Sequence, residues 1–172
     1  MAHRFATVMI LVVLASFATA AAGASPFVNI PITFTLTNGT ETATFTGTID
    51  VTGFGFVTAT QQVVASGTFQ GVVTDSLNNS TPVGPSRFTQ PVTFGAHTCT
   101  QLTLQLGSIF PFEVPTPSGD YTGRFVFPDI TITTPSSRAV DAILCKIAEL
   151  VDKGAGASTI ASELRRLIAL LA

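Results

Sequence analysis

The stretch FVNIPITFTLTNGTETATFTGTIDV, Phe27 to Val51, decides the fold class. Up to Asn38, apolar residues fall on even positions (Val28, Ile30, Ile32, Phe34, Leu36) and polar ones on odd positions. Beyond Gly39 the parity reverses, with Ala43, Phe45, Ile49 and Val51 odd and Thr42, Thr44, Thr46 and Thr48 even. A period of two is the mark of a strand with one buried face. Asn-Gly between two such runs is a strong hairpin signal. A two-residue Asn38-Gly39 turn pairs Thr37 with Thr40, setting Phe34 opposite Ala43, Ile32 opposite Phe45 and Val28 opposite Ile49. Large apolar side chains then share one side and threonines the other. A one-residue slip would destroy that arrangement.

Further strands are expected over Phe54–Thr60, Val63–Thr74, Arg87–Phe94, Thr98–Leu106 and Gly123–Thr133. Turn-rich SLNNSTPVGPS (Ser76 to Ser86) and VPTPSGD (Val114 to Asp120) separate some of them. In the last of these strands Phe125 and Phe127 are odd but Ile130 and Ile132 even. That slip predicts a bulge at Pro128-Asp129, since proline cannot donate to a ladder. Seven or eight short strands with turns between them predict a mainly β (α+β) fold, an antiparallel sandwich or barrel.

After Pro135 the period changes. Val140, Ile143, Leu144, Ile147 and Val151 form the stripe of an amphipathic helix, with Ser136 or Ser137 as its cap and Gly154 at its end. Past GAGAS, Ile160, Leu164, Leu167, Ile168 and Leu171 make a second stripe. Two helices joined so closely form an antiparallel hairpin, expected to pack on the β domain. A free amphipathic helix for a membrane or partner is the competing reading.

The first 24 of the 172 residues read as a signal peptide. His3 and Arg4 give a basic start, VMILVVLASF is the apolar core, and Ala22-Gly23-Ala24 suits a signal peptidase, with Ala20 as the alternative cleavage position. The rival is an uncleaved anchor; a span needs about 20 apolar residues. The domain reading is therefore a signal peptide over 1–24, a β domain over 25–135 and a helical hairpin over 136–172. Without Arg4, seven Lys and Arg remain against ten Asp and Glu. No basic patch suited to phosphates is visible, so nucleic acid is a poor partner, and no span is expected in the mature chain.

The chain has two cysteines, and neither sits where a hydrophobe belongs. Cys145 lies about 140° around the helix from Val140. Cys99 shares parity with Gln101, Thr103 and Gln105, not with Leu102, Leu104 and Leu106. In an oxidising destination the simplest account is a Cys99–Cys145 disulfide tying the helices to a strand. The parity further suggests a bulge near Cys99 or a helix docked there.

Cys99-x-x-Leu102-x-Leu104-x-Leu106-Gly107, followed by Leu144-Cys145-Lys146-Ile147-Ala148-Glu149-Leu150, resembles a family of small secreted proteins of actinobacteria and other soil bacteria. The resemblance covers about the last 70 residues. It implies export and the same two cysteines, and it implies no activity. The family's G-x-G-x-L-L-G-N lead into the helix is missing; Pro135-Ser136-Ser137 stands there.

Chemistry is sparse. Past the signal, His97 is the only histidine, too few for an imidazole-rich metal site. His97-Thr98-Cys99 resembles a Cys–His nucleophile pair, but a cysteine in a disulfide is no nucleophile. No G-x-S-x-G, P-loop or dinucleotide fingerprint occurs, and Asp129 beside Pro128 reads as a turn or bulge residue. No catalytic, cofactor or metal residues are therefore named. Alternating threonines resemble arrays that bind ordered water or carbohydrate, although Thr is also simply a good β-former for a wet face. Asn38-Gly39-Thr40 and Asn78-Asn79-Ser80-Thr81 contain glycosylation sequons that matter in a eukaryotic host. The leading functional expectation is a secreted, non-catalytic binding or cell-envelope module whose partner is a protein or the cell wall. The alternative is a carrier of a small apolar ligand in a Phe-lined barrel, and an enzyme comes third.

Overall fold

The computed structural model describes residues 25–107, 111–133 and 137–172. The expected signal peptide, residues 1–24, lies outside the described residues, as does Ser136. The chain runs through β1 (Ile30–Asn38), β2 (Glu41–Val57), β3 (Gln62–Thr74), β4 (Ser80–His97), β5 (Gln101–Leu106), β6 (Pro111–Thr116), β7 (Gly119–Arg124) and β8 (Ile130–Thr133). Two helices follow, α1 (Arg138–Asp152) and α2 (Ala157–Leu171). All eight strands join one antiparallel sheet in the order β6-β7-β1-β2-β3-β4-β5-β8. It curls into a half-barrel, with β6 and β8 as its edges.

The β1–β2 hairpin forms as its alternation demands, with its register displaced by two residues. Asn38 pairs with Glu41, Phe34 with Phe45, Ile32 with Gly47 and Ile30 with Ile49. The turn is Gly39-Thr40, and of that pair only Gly39 has a positive φ (60°). This is the II′ arrangement with glycine first, where the expected Asn38-Gly39 turn needs both residues left-handed. A shift of two leaves every side chain on its face, so the core is unaffected. Val28 departs: Asn29 takes a positive φ, Phe27 is buried in its place and Val28 is exposed.

Long strands and glycines produce the curl. Bulges interrupt pairing near Gly53 in β2, at Gly84-Pro85 in β4 and again before His97. Such bulges bend a sheet. Gly47 pairs with Gly71 across β2 and β3. A Cβ on Gly47 would collide with the Gln70 carbonyl oxygen, and one on Gly71 with that of Thr46. The Phe45 ring lies over both glycines, filling the space that side chains would occupy. The inner face carries Leu36, Phe45, Ile49, Ala65, Val73 and Leu104, each nearly inaccessible to solvent.

Several segments depart from the sequence-based expectation: Phe54–Val57 is the end of β2 and not a separate strand. Only residues 76–79 of SLNNSTPVGPS turn; Ser80 onward already belongs to β4. VPTPSGD contains a two-residue turn at Pro117-Ser118 inside a β6–β7 hairpin. Proline-bearing β6 is tolerated because it is an edge strand. Gly123–Thr133 is not one strand: residues 125–129 carry the chain from β7 beside β1 to β8 beside β5. The parity slip at Pro128-Asp129 thus marks a crossing, and no bulge forms there. Phe125 and Phe127 are buried on the way. Phe125 lies 5.0 Å from Phe34 and 4.9 Å from Phe69 between ring centroids. Phe127 lies 4.8 Å from Phe88. Offset and edge contacts of this kind add to area burial.

α1 buries Val140, Ile143, Leu144 and Ile147 of the expected stripe, while Val151 is only partly buried. Ser137 is its N-cap residue but makes no side-chain capping bond. Its end is a Schellman turn: Ala155 N–H donates to Leu150 O and Gly154 N–H to Val151 O. α2 buries Ile160, Ala161, Leu164 and Leu167 and packs on β2 and β3, while α1 packs on β4 and β5. The hairpin thus covers the inner face. No helix among the described residues is long and apolar enough to cross a membrane.

Candidate functional site

Three places gather polar groups: the outer face of the sheet and its two ends. The outer face collects the threonines. Thr122, Thr37 and Thr42 are cross-strand neighbours. So are Thr35, Thr44, Thr74 and Ser80. A third row runs from Thr33 through Thr46 to Val72 and Pro82. Pleating sends every second residue outward, so hydroxyls recur about 4.8 Å across strands and about 6.8 Å along them. The members named carry no charge, and Glu113 of β6 adjoins the first row at Thr122. Where the Gly47–Gly71 pair bends the sheet, the surface sinks into an open depression of about 410 Å³ lined by Thr48, Gln70, Val72, Pro82 and Val83.

One end is tied by carboxylates. Asp75, in the β3–β4 turn, is buried. Its Oδ1 accepts from Leu77 N–H (2.9 Å) and Asn79 N–H (2.8 Å), and Oδ2 accepts from Asn79 Nδ2 (2.9 Å) and the Ser118 hydroxyl. Ser118 sits in the β6–β7 turn, 3.5 Å from the hydroxyl of Tyr121, which donates to Glu41 Oε2 at 3.0 Å. The Ser118 hydroxyl first, and the Asn79 and Leu77 donors after it, hold the Asp75 carboxyl below its usual value against the opposing effect of burial. Three hairpin turns are thereby fastened together. Sequence reading missed this network, because its members are 43 and 80 residues apart along the chain.

The other end carries the cysteines. Cys99 and Cys145 form a disulfide, as expected. Cys99 lies in the β4–β5 turn, however, and not in a strand, since β5 begins only at Gln101. That is why its parity misfits, and the bridge removes it as a nucleophile for the His97-Thr98-Cys99 reading. His97 turns elsewhere: its Nδ1 lies 2.6 Å from Gly95 O and its Nε2 3.1 Å from Asp152 Oδ1. The Gly95 carbonyl and then the Asp152 carboxylate raise the imidazole pKa above its ordinary 6.5, with burial opposing them. The sequence signal for this contact is only a histidine before the cysteine and an aspartate seven residues after its partner.

Asp129 accepts from Gln105 Nε2 at 3.3 Å, a tie between the crossing segment and β5. No group of three or more His, Cys, Asp or Glu able to hold a metal occurs among the described residues. No protein-family model, curated protein or solved structure matches the chain.

Proposed function

We propose that this chain is an exported, non-catalytic binding module that engages the cell envelope through the outer face of its sheet. The observation that carries the reading is the set of uncharged hydroxyl rows spanning β7, β1, β2 and β3. Threonine alone explains a wet outer face. The hydroxyl rows are what a neutral, hydroxyl-rich polymer such as an envelope glycan would meet. The charges on this face, among them Asp120 and Arg124 beside Thr122 and Asp50 beyond Thr48, are scattered and mixed in sign and form no basic patch for phosphate or anionic lipid. The disulfide supports an oxidising destination. The resemblance to small secreted bacterial proteins points the same way. The carrier reading would need an empty apolar chamber, and the concave side holds mutually packed rings of Phe34, Phe45, Phe69, Phe112 and Phe125.

The test is co-sedimentation of the exported protein with an insoluble envelope preparation and with anionic vesicles. Binding to the envelope but not to the vesicles is expected. The double variant Thr33→Lys/Thr44→Lys, whose positions are not directly opposed, should weaken binding at least tenfold while its melting temperature stays within a few degrees. Equal binding by variant and wild type, or none by the wild type, overturns the reading.

A further inference from the structure

We propose that His97 and Asp152 form a proton-held latch between β4 and α1, set beside the Cys99–Cys145 bridge, so that the end of α1 comes free only when the bridge is reduced and His97 has given up one ring proton. Local geometry builds the latch. Between Phe94 and His97, β4 holds one residue more than β5, and the bulge places His97 opposite Leu102. Directly opposed residues share a face, so the ring is re-aimed toward the side that α1 covers. There both ring nitrogens meet groups that only accept: the Gly95 carbonyl at Nδ1 and the Asp152 carboxylate at Nε2. A neutral imidazole has one N–H, whereas an imidazolium has two. Both contacts are satisfied together only by the charged ring.

The two ties act in parallel. Cys145 and Asp152 are seven residues apart, two turns along one side of α1. His97 ends β4 immediately before the turn that holds Cys99. The charged neighbours are few. Glu149, one turn before Asp152, is engaged by Lys146 and Lys153. β5 contributes Gln101 and Leu102, the turn contributes Thr98 and Thr100, and β8 ends beside Gln101 with Thr133, all uncharged. Asp152 is therefore the group that answers the imidazolium. Leu144 and Ile147 are fully buried farther up α1, so opening is confined to the last turns of α1 and the β4–β5 turn while the hairpin stays on the sheet.

Reduction by a dithiol is a thiol–disulfide exchange. A thiolate of the reductant attacks one bridge sulfur, breaking the S–S bond and forming a mixed disulfide. Its second thiolate then displaces the protein sulfur. The reductant leaves as a cyclic disulfide, and two electrons and two protons remain on Cys99 and Cys145 as thiols. From then on the proton on His97 decides whether the end is held. The His97 contribution is complete below the unfolded-state pKa of about 6.5 and is lost as pH rises through the raised folded-state value.

The experiment is amide hydrogen exchange of the folded protein at pH 5.5 and 8.5, corrected for intrinsic rates. It compares oxidised protein with protein reduced at pH 8.5 by excess dithiol and kept under anaerobic conditions. Oxidised wild type should protect residues 97–102 and 148–154 equally at both pH values, within about twofold. Reduced wild type should lose about three- to fivefold protection there at pH 8.5 while keeping it at pH 5.5. Reduced His97→Gln and Asp152→Asn should be open at both. Cys99→Ser/Cys145→Ser should behave as reduced wild type without any reductant. Equal protection of reduced wild type at both pH values, persistence of the pH effect in His97→Gln, or unfolding of the whole chain on bridge loss at both pH values overturns the latch.

Discussion

The two ends of the sheet are fastened by opposite chemistry. At the end formed by the β3–β4 and β6–β7 turns, a buried carboxylate collects neutral donors and no covalent bond is present. At the β4–β5 end a disulfide and a half-exposed ion pair hold a helix to a turn. The first draws strength from burial, where each polar group must find its partner or its desolvation goes uncompensated. The second draws strength from constraint on the unfolded chain, which needs no burial. Asp75 has its pKa lowered by its donors, so its contribution is present above the unfolded value near 3.8 and is lost as pH falls through the folded one. His97 has its pKa raised, and its contribution is lost as pH rises. Acid loosens one end and base the other.

Removing the bridge should cost the most stability. Cys99 and Cys145 are 46 residues apart, and the chain-entropy relation gives about 4 kcal/mol for a loop of that length. Cys99→Ser/Cys145→Ser should lower unfolding stability in urea by about 2–5 kcal/mol. A loss below about 1 kcal/mol would show that helix packing, and not the bridge, secures that end.

Next in size is the polar end. Tyr121 is fully buried, and its hydroxyl donates to Glu41. Tyr121→Phe keeps the ring and deletes the donor, which should cost about 1 kcal/mol, or about 2–4 °C in melting temperature. The cost should be the same at pH 5.5 and 8.5, because Asp75, held below its usual value, stays ionised across that interval. Ser118→Ala should steepen the loss of stability in acid less than wild type does, since the donor that most lowers the Asp75 pKa is gone. An unchanged acid limb of the stability profile would remove Asp75 from this account.

What the sequence disclosed follows the same division. Period-two alternation showed which face of β1 and β2 is buried, because a buried face tolerates no slip of one residue. It did not distinguish registers two residues apart, since both bury the same side chains; the left-handed Gly39 in a II′ turn made that choice. The helices were legible from Val140, Ile143, Leu144 and Ile147. The bridge was legible because Cys99 and Cys145 each misfit the pattern around them. The β6–β7 hairpin was hidden because Pro115 and Gly119 carry turn chemistry into very short strands on either side of Pro117-Ser118. The Asp75–Ser118–Tyr121–Glu41 network depends on three turns meeting in space. No local pattern announces such a meeting, and the same holds for His97 and Asp152.

The smallest expected effect sharpens the contrast most. Asp152 is 70% exposed and His97 25% exposed at the side chain, so solvent screens the pair and its worth is at most about 1 kcal/mol. In the oxidised protein Asp152→Asn should lower the melting temperature by about 1–3 °C at pH 5.5 and not measurably at pH 8.5. Tyr121→Phe should show no such asymmetry. The sign carries the argument, because a packing defect at residue 152 would cost the same at both pH values, whereas a lost partner for an imidazolium costs only where the imidazolium exists. If Asp152→Asn proved equally costly at pH 8.5, the His97 end would have to be held by shape and by the bridge, and the two ends would differ in covalency alone.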